Sequence, residues 1–300
     1  MTPSSRGQGQ GQSQQRRARL RSIKESLKGA SILLELRDAR VPHLSAVDGL
    51  LGNTAKKIQG IVLSKIDLAE PRHTKAWQNH LLEEGKETLC LDLTKQGRAR
   101  KHLNSLLKKL GQKHRSALGV ARVAIVGLPN VGKSSLINVL LRRKKTPTGD
   151  RPGVTKGKLW LRVSPEVFLL DTPGVISLFS SMEKDMGASF FKLVMCNIVP
   201  AGQYDDLEVL GEFLDYIVED RRAWPFDSYY PHIFTSLWSD GTVDSVLSEY
   251  AKERGFLTRR GTPDLNGAAR AVLADFRRGK IGRLTLDTEP SQGVNPIEQR

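Results

Sequence analysis

With 300 residues and 39% hydrophobic content the chain is long enough for one full core and a smaller second one, and its apolar runs, such as Ile32–Leu34, fall far short of the roughly 20 residues that cross a bilayer. Two cysteines, Cys90 and Cys196, stand far apart without a partner pattern, which excludes a disulfide framework and a zinc site and leaves two reduced, buried thiols as the expectation. The net charge of +15 divides into +13 over residues 1–117, +7 over 118–200 and −5 over 201–300, a basic excess that points to a polyanionic partner, of which nucleic acid is the commonest.

In chain order, residues 1–15 are Gly, Gln and Ser with almost no apolar content, too poor in burial to offset ordering entropy, so a disordered tail is expected. Arg16 to Lys28 is basic with Leu20, Ile23 and Leu27 at helical spacing. The six basic and no acidic residues among the first 24 have the charge of a transit peptide, while the Gly-Gln repeat lacks its amphipathic moment; the compartment stays open between cytoplasm and a mitochondrial or plastid matrix.

From about residue 30 to 175, short apolar runs alternate with helical segments, the signature of an α/β sheet with crossover helices. Strands are predicted at Ser31–Leu36, Ile58–Leu63, Thr88–Leu93, Arg122–Val126, Lys158–Val163 and Glu166–Leu170. Only Ser164 and Pro165 separate the last two, too few for a crossover, so they should form a hairpin and make the sheet mixed. Helices are then predicted at Glu183–Cys196, Leu207–Val218, Thr242–Glu253 and Asp264–Arg278. The expected layout is an α/β domain over residues 16–177, a small all-helical domain over 178–286 and a loose tail over 287–300.

The strongest chemical signal is Gly127-Leu-Pro-Asn130-Val131-Gly132-Lys133-Ser134-Ser135, a GxxxxGKS between an apolar strand and a helical stretch. Such glycines let backbone N–H groups curl around phosphate oxygens at a helix N-terminus, Lys133 reaches the β and γ phosphates, and Ser134 ligates Mg²⁺. Asp171-Thr-Pro-Gly174 ends a strand 38 residues after Lys133; there an Asp holds Mg²⁺ through water and the Gly174 N–H senses the γ-phosphate. Between the two, Thr148 to Thr155 offers Thr155 as the switch threonine that ligates Mg²⁺ when the γ-phosphate is present. Ser64-Lys65-Ile66-Asp67 follows the second predicted strand: Asp67 accepts from the two guanine donors that adenine does not present, and the Lys65 stem packs along the base. The reading is of a GTP user rather than an ATP user.

The base-reading motif here precedes the phosphate motif, the reverse of the conventional order. With Glu35-Leu-Arg-Asp-Ala-Arg-Val-Pro42, these motifs and Asp275-Phe-Arg-Arg-Gly-Lys-Ile-Gly-Arg283, the chain over roughly residues 20–288 resembles the circularly permuted YlqF/RbgA-type GTPases, assembly factors of the large ribosomal subunit in bacteria and organelles. The resemblance implies a P-loop GTPase domain with permuted motifs followed by a helical, ribosome-binding domain. It further implies slow hydrolysis of GTP to GDP, stimulated by the ribosomal particle, a precursor large subunit and its rRNA as partners, and Asn130 as ligand of a K⁺ ion beside the phosphates. Catalysis would rest on Lys133, Thr155, Gly174 and Asn130.

Three departures from the family pattern stand out. Ser64 replaces the usual Asn of NKxD and loses an amide that ties the base to the P-loop. The second base-contacting element falls on Leu91-Asp92. Val175 stands where a conventional GTPase carries a water-orienting Gln, and no His motif in residues 1–30 replaces it, so the group that positions the attacking water is unidentified. The competing reading is a GTP-responsive RNA scaffold with negligible hydrolysis; a P-loop ATPase or kinase is disfavoured by Asp67. RNA contacts are expected from Arg142–Lys145, Arg16–Lys28 and Arg277–Arg283, with the acidic stretch Asp205–Asp220 turned away. A monomer is the default.

Overall fold

The computed structural model of the chain describes residues 18, 20–114, 120–141, 159–165, 167–171, 187–220, 242–287 and 290. The expectations for residues 1–15, Arg142–Lys145, Thr155, Gly174 and Val175 lie outside these. A six-stranded sheet is formed by β1 (Ile32–Asp38), β2 (Ile58–Ser64), β3 (Glu87–Leu91), β4 (Ala121–Val126), β5 (Leu159–Ser164) and β6 (Val167–Asp171), in the order β3-β2-β1-β4-β6-β5. Every pairing is parallel except β5 with β6, the expected hairpin, so the sheet is mixed. The central strand β1 is buried at all seven residues, as a strand covered on both faces must be, and Ile32, Leu33, Leu34 and Leu36 form the middle of the core.

Helices cover the sheet. Residues 20–26 form α1 and Asp48–Leu51 a one-turn α2. In α3 (Pro71–Glu83), Pro71 occupies the first turn, where its missing N–H costs nothing, and Thr74, Trp77 and Leu81 turn inward at i, i+3 and i+7. In α4 (Gln96–Lys113) the inward face is Ala99, Leu103, Leu106, Leu107 and Leu110. The P-loop helix is α5 (Lys133–Leu141).

The C-terminal region is helical: α6 (Phe190–Met195), α7 (Asp206–Asp220), α8 (Val243–Arg254) and α9 (Leu265–Arg277). Two of these helices start where the sequence supplies a cap. Thr242 accepts from the Ser245 N–H at 3.3 Å and Asp264 from the Gly267 N–H at 2.9 Å. The helices share an aromatic core in which Phe213 meets Phe276 edge-on at 5.4 Å and Phe191 lies 5.5 Å from Tyr216.

Beyond α9 the chain takes a course that no local pattern announces. Residues 284–287 run as a strap back along the α/β domain. The Leu284 N–H donates to the Leu68 carbonyl (3.0 Å), Thr285 exchanges two hydrogen bonds with Glu70 (2.9 and 3.1 Å), and the Leu286 N–H donates to the Arg40 carbonyl (2.7 Å). On its other side the Leu286 carbonyl accepts from Lys192 Nζ and Tyr216 Oη at 3.2 and 3.1 Å. Asp287, expected to open a loose tail, is instead anchored: its carboxylate accepts from the His43 and Leu44 N–H groups and its carbonyl from Trp77 Nε1. Backbone groups at such a seam must find partners, and Asp287 supplies acceptors that an apolar residue could not.

Candidate functional site

The sheet brings together what the sequence separates. β2, which ends in the base-reading motif, and β4, which feeds the P-loop, are the two neighbours of β1, so residues 64–67 and 127–135 meet at the C-terminal edge of a parallel sheet, where such folds bind ligands.

The P-loop is built on two glycines. Gly127 has φ +152°, and a Cβ there would stand 2.5 Å from the Leu36 carbonyl oxygen. Gly132 has φ +103°, with Leu93 Cδ1 at 3.2 Å from where its Cβ would be. Lys133 is buried; its Nζ donates to the Leu128 carbonyl, and burial pulls its pKa down to about 8. A phosphate reverses that trend by supplying the counter-charge. Ser134 and Ser135 are exposed on the first turn of α5. Asn130, at φ +57°, donates from Nδ2 to the Asn197 carbonyl at 2.7 Å, joining the P-loop to the segment after α6.

The base-reading side is tied to the P-loop by Ser64. Its hydroxyl lies 2.6 Å from the Val131 carbonyl and 3.1 Å from that of Arg37. The tie expected to vanish with the missing Asn is thus carried by a shorter side chain, because β2 and the P-loop backbone approach closely enough for a hydroxyl to span. Ser64→Ala leaves a buried carbonyl without its donor, a loss of about 1–2 kcal/mol, so GTP affinity measured with a fluorescent analogue should fall about five- to thirtyfold.

Lys65, at φ +56°, places its Nζ 2.8 Å from Asp38 Oδ2. Asp38 closes β1 and is fully buried; Arg40 donates to it from Nε (3.0 Å), Nη2 (2.8 Å) and its own backbone N–H (3.0 Å). Burial opposes the carboxylate's charge, but the Arg40 and Lys65 cations outweigh it and hold the Asp38 pKa well below the usual carboxylate range. Arg40 in turn reaches the Cys196 carbonyl at 3.3 Å and lies over the Phe276 ring at 5.4 Å. Cys196 is fully buried, with its thiol pushed up to about 12 by burial, whereas Cys90, expected to be buried, is only partly so.

A cavity of about 490 Å³ joins these parts. Lys65, Asp67 and Leu68 line one side and Gly132, Ser135 and Asn138 another. Asp67 makes no hydrogen bond or ion pair to any described residue, and Ile66 packs against the core instead. Around the pair Leu91-Asp92, expected as the second base-contacting element, the cavity is lined by the residues that follow it. Leu91 is buried in the sheet and Asp92 turns back to accept from the Thr94 N–H at 2.9 Å, while Leu93, Thr94 and Gln96 line the cavity. Sequence reasoning also missed Cys196, Asn197 and Arg277, which close the cavity from the helical region. The signal was present for Arg277, whose motif was read as an RNA contact rather than as part of this cavity; it donates to the Val194 carbonyl at 2.7 Å and lies 3.0 Å from Tyr204 Oη. Asp171 ends β6 beside the P-loop strand.

Residues 122–220 match the family described as 50S ribosome-binding GTPase. Ribosome biogenesis GTPase A of Thermotoga maritima is 31% identical over 281 residues, 93% of this chain and 93% of that protein, and its counterpart from Priestia megaterium is 33% identical over 92% and 95%. The chain belongs to the ribosome biogenesis GTPase A family. Mitochondrial ribosome-associated GTPase 1 of Bos taurus is also similar, at 30% identity over 93% of this chain and 88% of that one. Two structures of T. maritima YlqF share the fold, the GDP-bound one with a TM-score of 0.65 at 25% identity over 90% of this chain and 99% of that one, and the GNP-bound one with 0.64 at 26% over 88% and 95%. As a member of this family the chain is a GTPase with a permuted P-loop domain followed by helices, and it works in ribosome assembly. GTPases of this kind use Mg²⁺. No described helix is long and apolar enough to cross a membrane.

Proposed function

We propose that the chain assembles the large ribosomal subunit by binding precursor particles and their rRNA in one nucleotide state and leaving them in the other. The observation that carries this reading is the cavity in which Asp67 and the P-loop meet, closed by residues of the helical region. In it Asp67 reads guanine, with Lys65 along the base, and the Val131, Gly132 and Ser135 backbone with Lys133 holds the phosphates. Residues 178–286 form the particle-binding domain on a G domain of residues 16–177, in a cytoplasmic or organellar compartment that holds ribosomes, and the chain acts as a monomer.

The donors present fit a hard divalent cation. Ser134 offers a hydroxyl on an exposed turn, and Asp171 ends the strand paired with β4. Ser134, Thr155 and Asp171 would hold Mg²⁺, which offsets charge on the β and γ phosphates when bound. Asn130 is the proposed K⁺ ligand. Catalysis rests on Lys133, Thr155, Gly174 and Asn130. Ties such as Asn130 to Asn197 and Arg40 to Cys196 give nucleotide state a short path into the helices.

GTP turnover by the full chain with Mg²⁺, in K⁺ and then Na⁺ buffer, with and without large ribosomal subunits, tests this. Subunits should stimulate turnover in K⁺ buffer by about tenfold or more, and Lys133→Ala should remove it. Equal rates in K⁺ and Na⁺ would remove the K⁺ role from Asn130. GTP-dependent particle binding without any turnover would favour a scaffold instead.

A further inference from the structure

We propose that the solvent face of α4 is a docking surface for the phosphate backbone of duplex RNA. This rests on the reading of the chain as a factor that binds ribosomal particles, and it assigns the contact to a face outside the basic segments that the sequence singled out. Helix α4 carries six Lys or Arg and no Asp or Glu in its 18 residues. Its apolar face is spent on β3, β4, β6 and α5. At 3.6 residues per turn, Arg98, Lys101, Lys108, Lys109 and Lys113 fall within an arc of about 140° opposite that face, and all five are exposed. Among the described residues only Lys109 has a carboxylate partner, Glu87 at 2.7 Å.

An outward helix face needs polar groups, but packing does not require that they share one sign. Arg98 with Lys101 at i,i+3 and Lys109 with Lys113 at i,i+4 are like-charged neighbours that repel in the free protein. Alternating signs would remove that repulsion. A polyanion removes it too, and releases counterions in binding. The stripe spans about 22 Å at 1.5 Å per residue, enough to follow a line of phosphates, and Ser105 and Gln112 lie within it as hydrogen-bonding groups for 2′-hydroxyls.

The chemistry of the face selects among partners. It carries no aromatic side chain on which an unpaired base could stack, which favours duplex over single-stranded RNA. It also carries no apolar anchor, which a protein interface needs at its centre: the large hydrophobics exposed among the described residues are Leu82 and Leu257, on other elements. Because Gln96, the first residue of α4, lines the nucleotide cavity, RNA on this face would load a helix that touches bound nucleotide at its end.

The test is the full-length variant Arg98→Gln, Lys101→Gln, Lys108→Gln, Lys113→Gln, titrated against an RNA duplex of about 16 base pairs between about 50 and 200 mM salt. A second variant, Arg72→Gln with Lys75→Gln on the exposed side of α3, removes two charges elsewhere and is compared with the α4 variant per charge removed. The α4 variant should lose about tenfold or more in affinity, and the slope of log affinity against log salt should drop by about 4, roughly 1 per phosphate contact removed. GTP affinity and melting temperature should stay at wild-type values, and the α3 variant should bind RNA more tightly than the α4 variant. An unchanged affinity and slope in the α4 variant would overturn this surface while leaving particle binding in place. Failure of the wild type to bind either duplex RNA or large subunits would overturn the particle reading and the surface with it. Retained duplex binding with lost particle binding would assign the face to an acidic protein and overturn the RNA assignment.

Discussion

Asp67→Asn is expected to exchange the guanine preference of the cavity for a xanthine preference. A carboxylate accepts from both the ring N–H and the exocyclic amine of guanine, and a carboxamide turns one acceptor into a donor that faces the amine. One charge-assisted hydrogen bond is lost, about 1.5–3 kcal/mol, and one donor is opposed by another. Together these predict a fall in GTP affinity of about a hundredfold or more. Xanthine carries a carbonyl where guanine carries the amine, so the new N–H gains an acceptor and XTP affinity rises. Because Asp67 has no hydrogen bond or ion pair to any described residue, the substitution leaves the scaffold intact, and melting temperature should hold. Paired titrations with GTP and XTP decide the matter; unchanged GTP affinity would remove Asp67 from the base site.

The fold was legible in the sequence wherever a local pattern decided it. All six strands lie within two residues of their predicted bounds at either end, because buried parallel strands are short apolar runs closed by turn residues. The hairpin followed from a two-residue gap, and the helices predicted from Thr242 and Asp264 begin one residue later, with those two residues as their caps. The helices of the C-terminal region follow from periodicity, although only residues 187–196 of the first can be compared. Motif order disclosed the permutation, and the sheet order explains why it is tolerated. Strand β1 separates the base strand from the phosphate strand whichever is made first.

Interactions across large sequence separations were not legible. Nothing local to Asp287 shows that it meets His43 and Leu44, 244 and 243 residues away, and its polar surroundings read as a tail. Nothing local to Leu91-Asp92 shows that the last residue of β3 is buried and that the next carboxylate folds onto its own loop, leaving Leu93 and Thr94 to line the cavity. Ser64 looked like a loss because a residue type was compared without the distance it had to span. Arg40 was part of a recognised motif without a role and Arg277 was read as an RNA contact, until the structure placed one against Asp38 and Phe276 and the other against Val194 and Tyr204.

Asp38→Ala should be the most damaging single change to the scaffold of the site. It strands two cations: Arg40, buried with this carboxylate as its only ion-pair partner among the described residues, and Lys65. Removing one member of a buried pair costs about 3–5 kcal/mol, a large part of the roughly 5–15 kcal/mol that holds a typical domain. Urea unfolding should show it as a lowered midpoint. Asp38→Asn keeps the shape and one acceptor, so it should fold and allow the functional consequence to be read. Lys65 would lose its ionic anchor, and the base would lose a fixed stem to lie on, weakening GTP binding with Asp67 still in place. The sign of the pH dependence separates charge from shape. Since the native pKa of Asp38 is depressed, its ionised form contributes stability that is complete above the unfolded-state value near 4 and is lost as pH falls below it. The stability gap between wild type and Asp38→Asn should therefore be constant from about pH 5 upward and shrink below about pH 4. A gap that stays constant as pH falls below about 4 would mean that the hydrogen-bond geometry, rather than the charge, holds Arg40 and Lys65 in place.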